Sequence, residues 1–220
     1  LLITIFYCIF KITPFEELPD TLTLNASLMT WYLVITELIS FAGGTQNFHD
    51  VRSDVLNGQF TTSLQRPKSY FCTKWWTWVG ANIARISALL VPGLILGLCY
   101  THNFAYNPTH IPFLISSIYL GTLIFSTVYF MLGILEIWGP YSRQAMWIFQ
   151  KLTFLLGGLI LPLQLYPEWL QTIAWLTPFP AILYIPGTFA FNPDLQTLTH
   201  HLGIQVVWLA LVILAALFVE

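Results

Sequence analysis

Charge is what this sequence lacks most. Of its 220 residues only 8% are Asp, Glu, Lys or Arg, where a soluble domain carries about a quarter. That shortfall excludes an ordinary water-soluble domain. Eight Lys and Arg against ten Asp and Glu give a net charge of -2, so no basic footprint for nucleic acid is present. Cysteine is scarce as well. Cys8, Cys72 and Cys99 are far apart and form no CxxC pair, which argues for free thiols and against a disulfide framework. The phosphate loop GxxxxGK[ST] is absent, so the chain does not bind ATP by that route. HExxH, GxSxG and a Gly-rich dinucleotide turn are absent too, and no strand–helix alternation is visible. These absences leave no enzyme signature and call for no cofactor. No repeat and no Gly/Ser-rich or charged linker divides the chain, so residues 1–220 are expected to form one domain. The chain starts without Met inside an apolar run and ends straight after another, and the expectation is a piece incomplete at both termini.

Apolar residues are what the chain has. It is 56% hydrophobic, with a mean hydropathy of +0.71, and its nine Trp, ten Tyr and seventeen Phe suit aromatic belts at two membrane interfaces. The predicted fold class is an all-α polytopic membrane protein. A span needs about 20 apolar residues. Leu1–Ile12 is too short and reads as the far half of a first span, followed by a loop over Lys11–Ala26. Further spans are predicted over Leu28–Gly44, Trp75–Tyr100, Ile111–Trp138, Ala145–Leu163 and Leu202–Val219, the last preceded by a polar connection at Asp194–His201. Between Pro162 and Pro193 lie six prolines, too many for one straight helix. A broken, re-entrant pair of short helices is expected there, tolerated where protein covers the freed backbone groups. The count is then six spans, or seven if Trp169–Phe191 crosses fully.

The most polar stretch is Gln46–Lys74, which holds four of the eight basic residues: Arg52, Arg66, Lys68 and Lys74. The excess of positive charge assigns this stretch, and the link at Arg143, to the cytoplasm. Phe48, Val51, Val55 and Leu56 recur at helical spacing, which predicts an amphipathic helix of about three turns along the cytoplasmic interface. Asn57-Gly58 is a fitting C-cap. A second short piece, Phe60–Gln65, should stop at Arg66-Pro67, because the residue before proline is pushed out of helix. Read blandly, this is a solvated loop with an interfacial helix of no special role.

Glu37, Arg85, Glu136 and Lys151 interrupt the apolar runs, each toward the cytoplasmic end of its span. They are expected to form a polar layer, with pairs such as Glu37–Arg85 and Glu136–Lys151. The alternative is snorkelling, in which the long side chains reach back to the interface and only stabilise the bundle. His102, His110, His200 and His201, with Asp194 nearby, fall on the outer side. Converging, they would make a metal or proton-shuttling set. The competing reading, solvated loop histidines, is favoured because His200 and His201 are adjacent and diverge on a helix, so no metal site is assigned.

One family accounts for the order of these parts. Asp50-Val51-Arg52, Leu56-Asn57-Gly58 and Leu64-Gln65-Arg66-Pro67, together with Gly157-Gly158-Leu159-Ile160-Leu161-Pro162, Leu165–Leu170 and Leu176–Phe179, resemble the permeases of type-2 ATP-binding-cassette exporters. The resemblance implies a six-helix subunit of the bacterial inner (plasma) membrane. Such a subunit pairs with a second permease, identical or different, and docks separate cytoplasmic ATPase subunits. It moves a hydrophobic or amphipathic solute outward. It further implies that Asp50, Arg52, Asp54, Gly58, Arg66 and Pro67 belong to a coupling or gate helix. The alternatives are a stand-alone secondary transporter, which would show deep ionisable residues and broken helices in both halves, and an intramembrane enzyme built on the outer histidines and Asp194.

Overall fold

A bilayer admits only helices and closed barrels, and continuous apolar runs of about 20 residues, unlike the short alternating strands of a barrel, select the helix. A computed structural model follows that rule. It describes residues 26–101, 108–191 and 194–219, and among the described residues every regular element is helical. The expected half-span Leu1–Ile12, the loop after it and His102 lie outside the described residues.

The elements are α1 (Ala26–Ala42), α2 (Thr45–Leu56), α3 (Gln59–Leu64), α4 (Tyr70–Thr101), α5 (Ile111–Ile134), α6 (Ser142–Leu156), α7 (Glu168–Trp175), α8 (Phe179–Ile182), α9 (Tyr184–Thr188) and α10 (Leu195–Val219). Among the described residues four helical stretches are long and apolar enough to cross a membrane: residues 27–56, 70–101, 111–138 and 195–219. The protein is an all-α polytopic membrane protein. Its core runs along α1 and α5. Trp31, Tyr32, Ile39, Ile124, Phe125 and Tyr129 are fully or almost fully buried there. By contrast, only 11% of the spanning window of α4 and 17% of that of α10 is buried, so these two helices present bare apolar faces.

Two spans differ from expectation. The run predicted over Ala145–Leu163 stops as a helix at Leu156. Fifteen residues rise about 22 Å, short of the roughly 30 Å hydrocarbon core. Gly157-Gly158 ends the helix, with Gly158 at φ +68°, a conformation that costs a side-chain-bearing residue but not glycine. The turn is held by α1. Tyr32 Oη donates to the carbonyl of Gly158, and Thr36 Oγ1 donates to that of Leu159 at 3.1 Å. The second difference is the predicted polar connection at Asp194–His201. Helix α10 already begins at Leu195. Thr197 Oγ1 donates to Asp194 Oδ1 at 2.5 Å, and this bond holds the Asp194 carboxyl below its ordinary range.

The remaining depth beside the short α6 is filled by the proline-rich stretch. Phe179 packs on Phe149, two turns into α6, with ring centroids 5.6 Å apart. The Ala181 carbonyl accepts from Gln205 Nε2 at 2.8 Å, ten residues into α10. On either side of this dip, Trp175 and Thr188 both meet His201, at 6.5 Å between rings and 3.4 Å to Nδ1. The chain therefore enters and leaves at one level, as a re-entrant segment, and Trp169–Phe191 does not form a seventh span. Its residues Ala181–Ala190 are all buried, so protein covers the irregular backbone.

Gln205 holds this segment in place. It is fully buried, accepts from Ser117 Oγ at 2.8 Å and donates to the carbonyls of Ser117 and Ala181. Gln205→Leu removes three hydrogen bonds, to Ser117 Oγ, the Ser117 carbonyl and the Ala181 carbonyl, in apolar surroundings. Interhelical hydrogen bonds of this kind contribute about 1 kcal/mol each in membrane proteins. The variant is expected to melt several degrees lower in detergent, and an unchanged melting curve would remove Gln205 from the structural account.

Candidate functional site

The polar stretch Gln46–Lys74 forms α2, α3 and the first turns of α4. Its boundaries follow local chemistry. Gly43-Gly44 separates α1 from α2, with Gly44 at φ +74°. At the far end, Asn57 caps α2, its N–H donating to Ser53 O, and Gly58 at φ +71° starts α3. Helix α3 ends at Leu64, just before Arg66-Pro67.

The apolar face of α2 is buried in protein at Phe48 and Val51, while Leu56 at its end is exposed. Phe48 and Val51 have no exposed surface. Gly43 abuts Phe125 and Val51 abuts Gly133, so the eight-residue step from the α1–α2 junction into α2 matches an eight-residue step along α5. Helix α2 thus runs side by side with the second half of α5, in the same direction. It does not lie across the bundle end along the interface. The reason is the small Gly133 opposite Val51, which lets the two backbones close up and gives the apolar face a protein partner in place of lipid. A second apolar cluster seals this end. Phe130 of α5 packs against Phe71 at 4.9 Å, Trp78 at 5.8 Å and Tyr70 at 6.0 Å, and Phe60 of α3 meets Tyr70 edge-on at 5.1 Å.

The charges pair differently from the sequence expectation. Arg52 Nε and Nη2 donate to the two oxygens of Glu136, each at 3.1 Å, and Ser142 Oγ donates to the same carboxylate. The Glu136 side chain is 5% exposed and that of Arg52 23%. This forked contact ties α2 to the end of α5 and the start of α6. The expected Glu136–Lys151 pair does not form. Lys151 is exposed, with its ammonium 5.7 Å from the ring of Phe154, because the turn of α6 that follows Gly139-Pro140 brings Ser142, not Lys151, to the carboxylate.

The Glu37–Arg85 pair is replaced as well. Arg85 Nη1 donates to Asn47 Oδ1 at 3.3 Å, at the start of α2, and Glu37 is half-buried without an ion pair among the described residues. Asn47 is itself fully buried, and its Nδ2 has no hydrogen-bond partner among the described residues. One turn away in α4, Asn82 Nδ2 donates to Ser126 Oγ of α5 at 2.9 Å.

Of the other expected positions, Asp54 joins Lys74 at 2.6 Å and accepts from Tyr70 Oη at 2.7 Å. Asp50 accepts from Gln46 Nε2 at 2.9 Å within α2. Gly58, Arg66 and Pro67 are exposed. The exposed rim of the site is therefore α3 and the Arg66-Pro67 turn, and α2 is its inner rod. Sequence reasoning missed Ser142, Asn47 and Gln205. Asn47 and Gln205 carried a signal, each being a lone amide bordering or inside an apolar run, whereas Ser142 carried none. Among the described residues no three His, Cys, Asp or Glu side chains are placed to hold a metal ion.

The whole arrangement is a set of membrane helices with one charged, partly exposed corner and a re-entrant segment at the opposite end. No curated protein and no solved structure matches the chain. The family described as ABC-2 family transporter protein matches it over residues 3–219. The chain thus belongs to the ABC-2 transporter family, as an integral membrane permease component of an ATP-binding-cassette transporter.

Proposed function

We propose that the chain is the permease of an exporter for a hydrophobic or amphipathic solute, driven by ATP hydrolysis on a separate subunit. The observation that carries this reading is the forked Arg52–Glu136 contact. It joins the charged segment to two membrane helices at once, so a push on α3 and the Arg66-Pro67 turn passes through α2 into α5 and α6. Positive charge assigns that corner to the cytoplasm, the side where an ATPase and its ATP reside, and the family resemblance implies the bacterial inner membrane. A second permease, identical or different, would cover one of the bare faces of α4 and α10.

The test is co-purification with an ATP-binding-cassette ATPase subunit, together with its hydrolysis rate. Arg66→Glu, on the exposed rim, is expected to reduce association by about tenfold or more, since reversing one charge in a contact costs at least about 1.4 kcal/mol. Arg52→Gln, on the inner side, is expected to leave association intact and to remove the stimulation of hydrolysis by cargo. Association and rate both unchanged in Arg66→Glu and Arg52→Gln would sink the proposed coupling role.

A further inference from the structure

We infer that the polar cavity behind the Arg66-Pro67 turn is a headgroup site for an anionic phospholipid whose acyl chains lie on the bare face of α4. The cavity measures about 640 Å³ and lies between the end of α2, α3 and the first turns of α4. Its lining includes Asp54, Ser63, Arg66, Lys68, Thr73 and Lys74. Lys74 and Asp54 neutralise each other at 2.6 Å. Arg66 and Lys68 are exposed and have no carboxylate within ion-pair distance among the described residues. The hydroxyls of Ser63 and Thr73 already donate to the carbonyls of Gln59 and Ser69, so the cavity offers a phosphodiester about two uncompensated positive charges, the guanidinium of Arg66 and the ammonium of Lys68, as its donors.

Its position selects a lipid. Lys74 is followed at once by Trp75 and Trp76, and Trp76 is 68% exposed. Exposed tryptophan at the start of an apolar helix marks the headgroup level of a bilayer. A second, shallower hollow, lined by Lys68, Cys72 and Trp76 among others, continues from the cavity onto α4. Beyond it the helix exposes Ile83, Val91 and Ile95. A headgroup in the cavity thus has a continuous apolar track for its chains, which a soluble phosphate or an acidic protein segment would leave unused. Basic pockets at this level, flanking membrane helices, are a recurrent mode of anionic lipid binding. The site depends on this chain alone, so failure of ATPase association would leave it standing.

The test uses the full chain in nanodiscs of phosphatidylcholine containing phosphatidylglycerol brominated near the headgroup end of its acyl chains. The Trp76 contribution to fluorescence quenching is isolated by subtracting the Trp76→Phe variant. Brominated phosphatidylglycerol is expected to quench Trp76 at a lower mole fraction than brominated phosphatidylcholine. Arg66→Gln and Lys68→Gln should each weaken that preference about fivefold, the effect of one basic residue at an anionic surface. Unchanged quenching by brominated phosphatidylcholine shows that the variants remain folded. Equal quenching by the two lipids overturns the inference, and so does a preference that survives the double variant.

Discussion

Glu136→Arg is expected to abolish transport while the protein still inserts in the membrane, and Arg52→Glu in the same chain is expected to restore part of it. Glu136 holds its position through two 3.1 Å bonds from Arg52 and the hydroxyl of Ser142. Breaking a buried pair by removing one partner costs about 3–5 kcal/mol, because the other charge is left uncompensated. The Arg52 side chain keeps 23% of its exposure, so part of that cost is relieved by water, and about 2–3 kcal/mol is the fitting expectation. The Asp54–Lys74 pair is the natural control. Its side chains are 16% and 27% exposed, and pairs this open contribute about 1 kcal/mol or less. Lys74→Gln should therefore have a mild effect. Solute export and thermal stability measured for the two single variants and the swap decide the matter. A swap no better than either single change would show that the fork is not the link between α2 and the α5–α6 corner.

Gly43→Ala should cost about as much through packing alone. A Cβ at this position would sit 1.9 Å from Phe125 Cδ1. Phe125 cannot retreat. It is 2% exposed and is packed against Tyr129 and Phe149, with ring centroids at 4.7 and 5.7 Å. Overpacking a tight core costs about 1–3 kcal/mol or more, and here it also pries the start of α2 from α5, the contact that sets the register of the rod. The folded yield of Gly43→Ala is expected to collapse, and Phe125→Leu in the same chain should recover it by making room. Gly80→Ala separates this effect from helix propensity. Nothing lies within 4 Å of a Cβ at Gly80, and a helical Gly-to-Ala change in open space stabilises by about 0.5–1 kcal/mol. If Gly43→Ala and Gly80→Ala melt alike, the close approach of α1–α2 to Phe125 is not a constraint on the fold.

The family assignment and the chemistry of the site rest on different observations. Membership follows from the match over residues 3–219, whereas the placement of Arg52, Asn47 and Asp54 follows from the packing of α2. The histidines illustrate the difference. Grouped by sequence, His200 and His201 read as loop residues near a possible metal set. In the structure they sit on the first turns of α10, their ring centroids 6.3 Å apart, with His201 against Thr188 and Trp175. His201 therefore serves as a packing group for the re-entrant segment, whereas His200 is exposed.

What the sequence determined by itself was local. Hydropathy located the long helices of the described residues, because a continuous apolar run of about 20 residues satisfies its backbone in hydrocarbon as a helix. Gly43-Gly44, Asn57-Gly58 and Arg66-Pro67 marked the ends of α1, α2 and α3, because the conformations allowed to glycine and before proline are properties of single residues. Six prolines between Pro162 and Pro193 announced a broken stretch for the same reason. Only the tertiary structure decided which charges meet. Glu136 and Arg52 are 84 positions apart, and whether they touch depends on the rotation and register of α2 against α5, which no spacing rule contains. The same holds for the apolar face of α2. A periodic pattern shows that one face avoids water, but lipid and protein satisfy it equally well, and the narrow Gly133 opposite Val51 is what made the partner a helix.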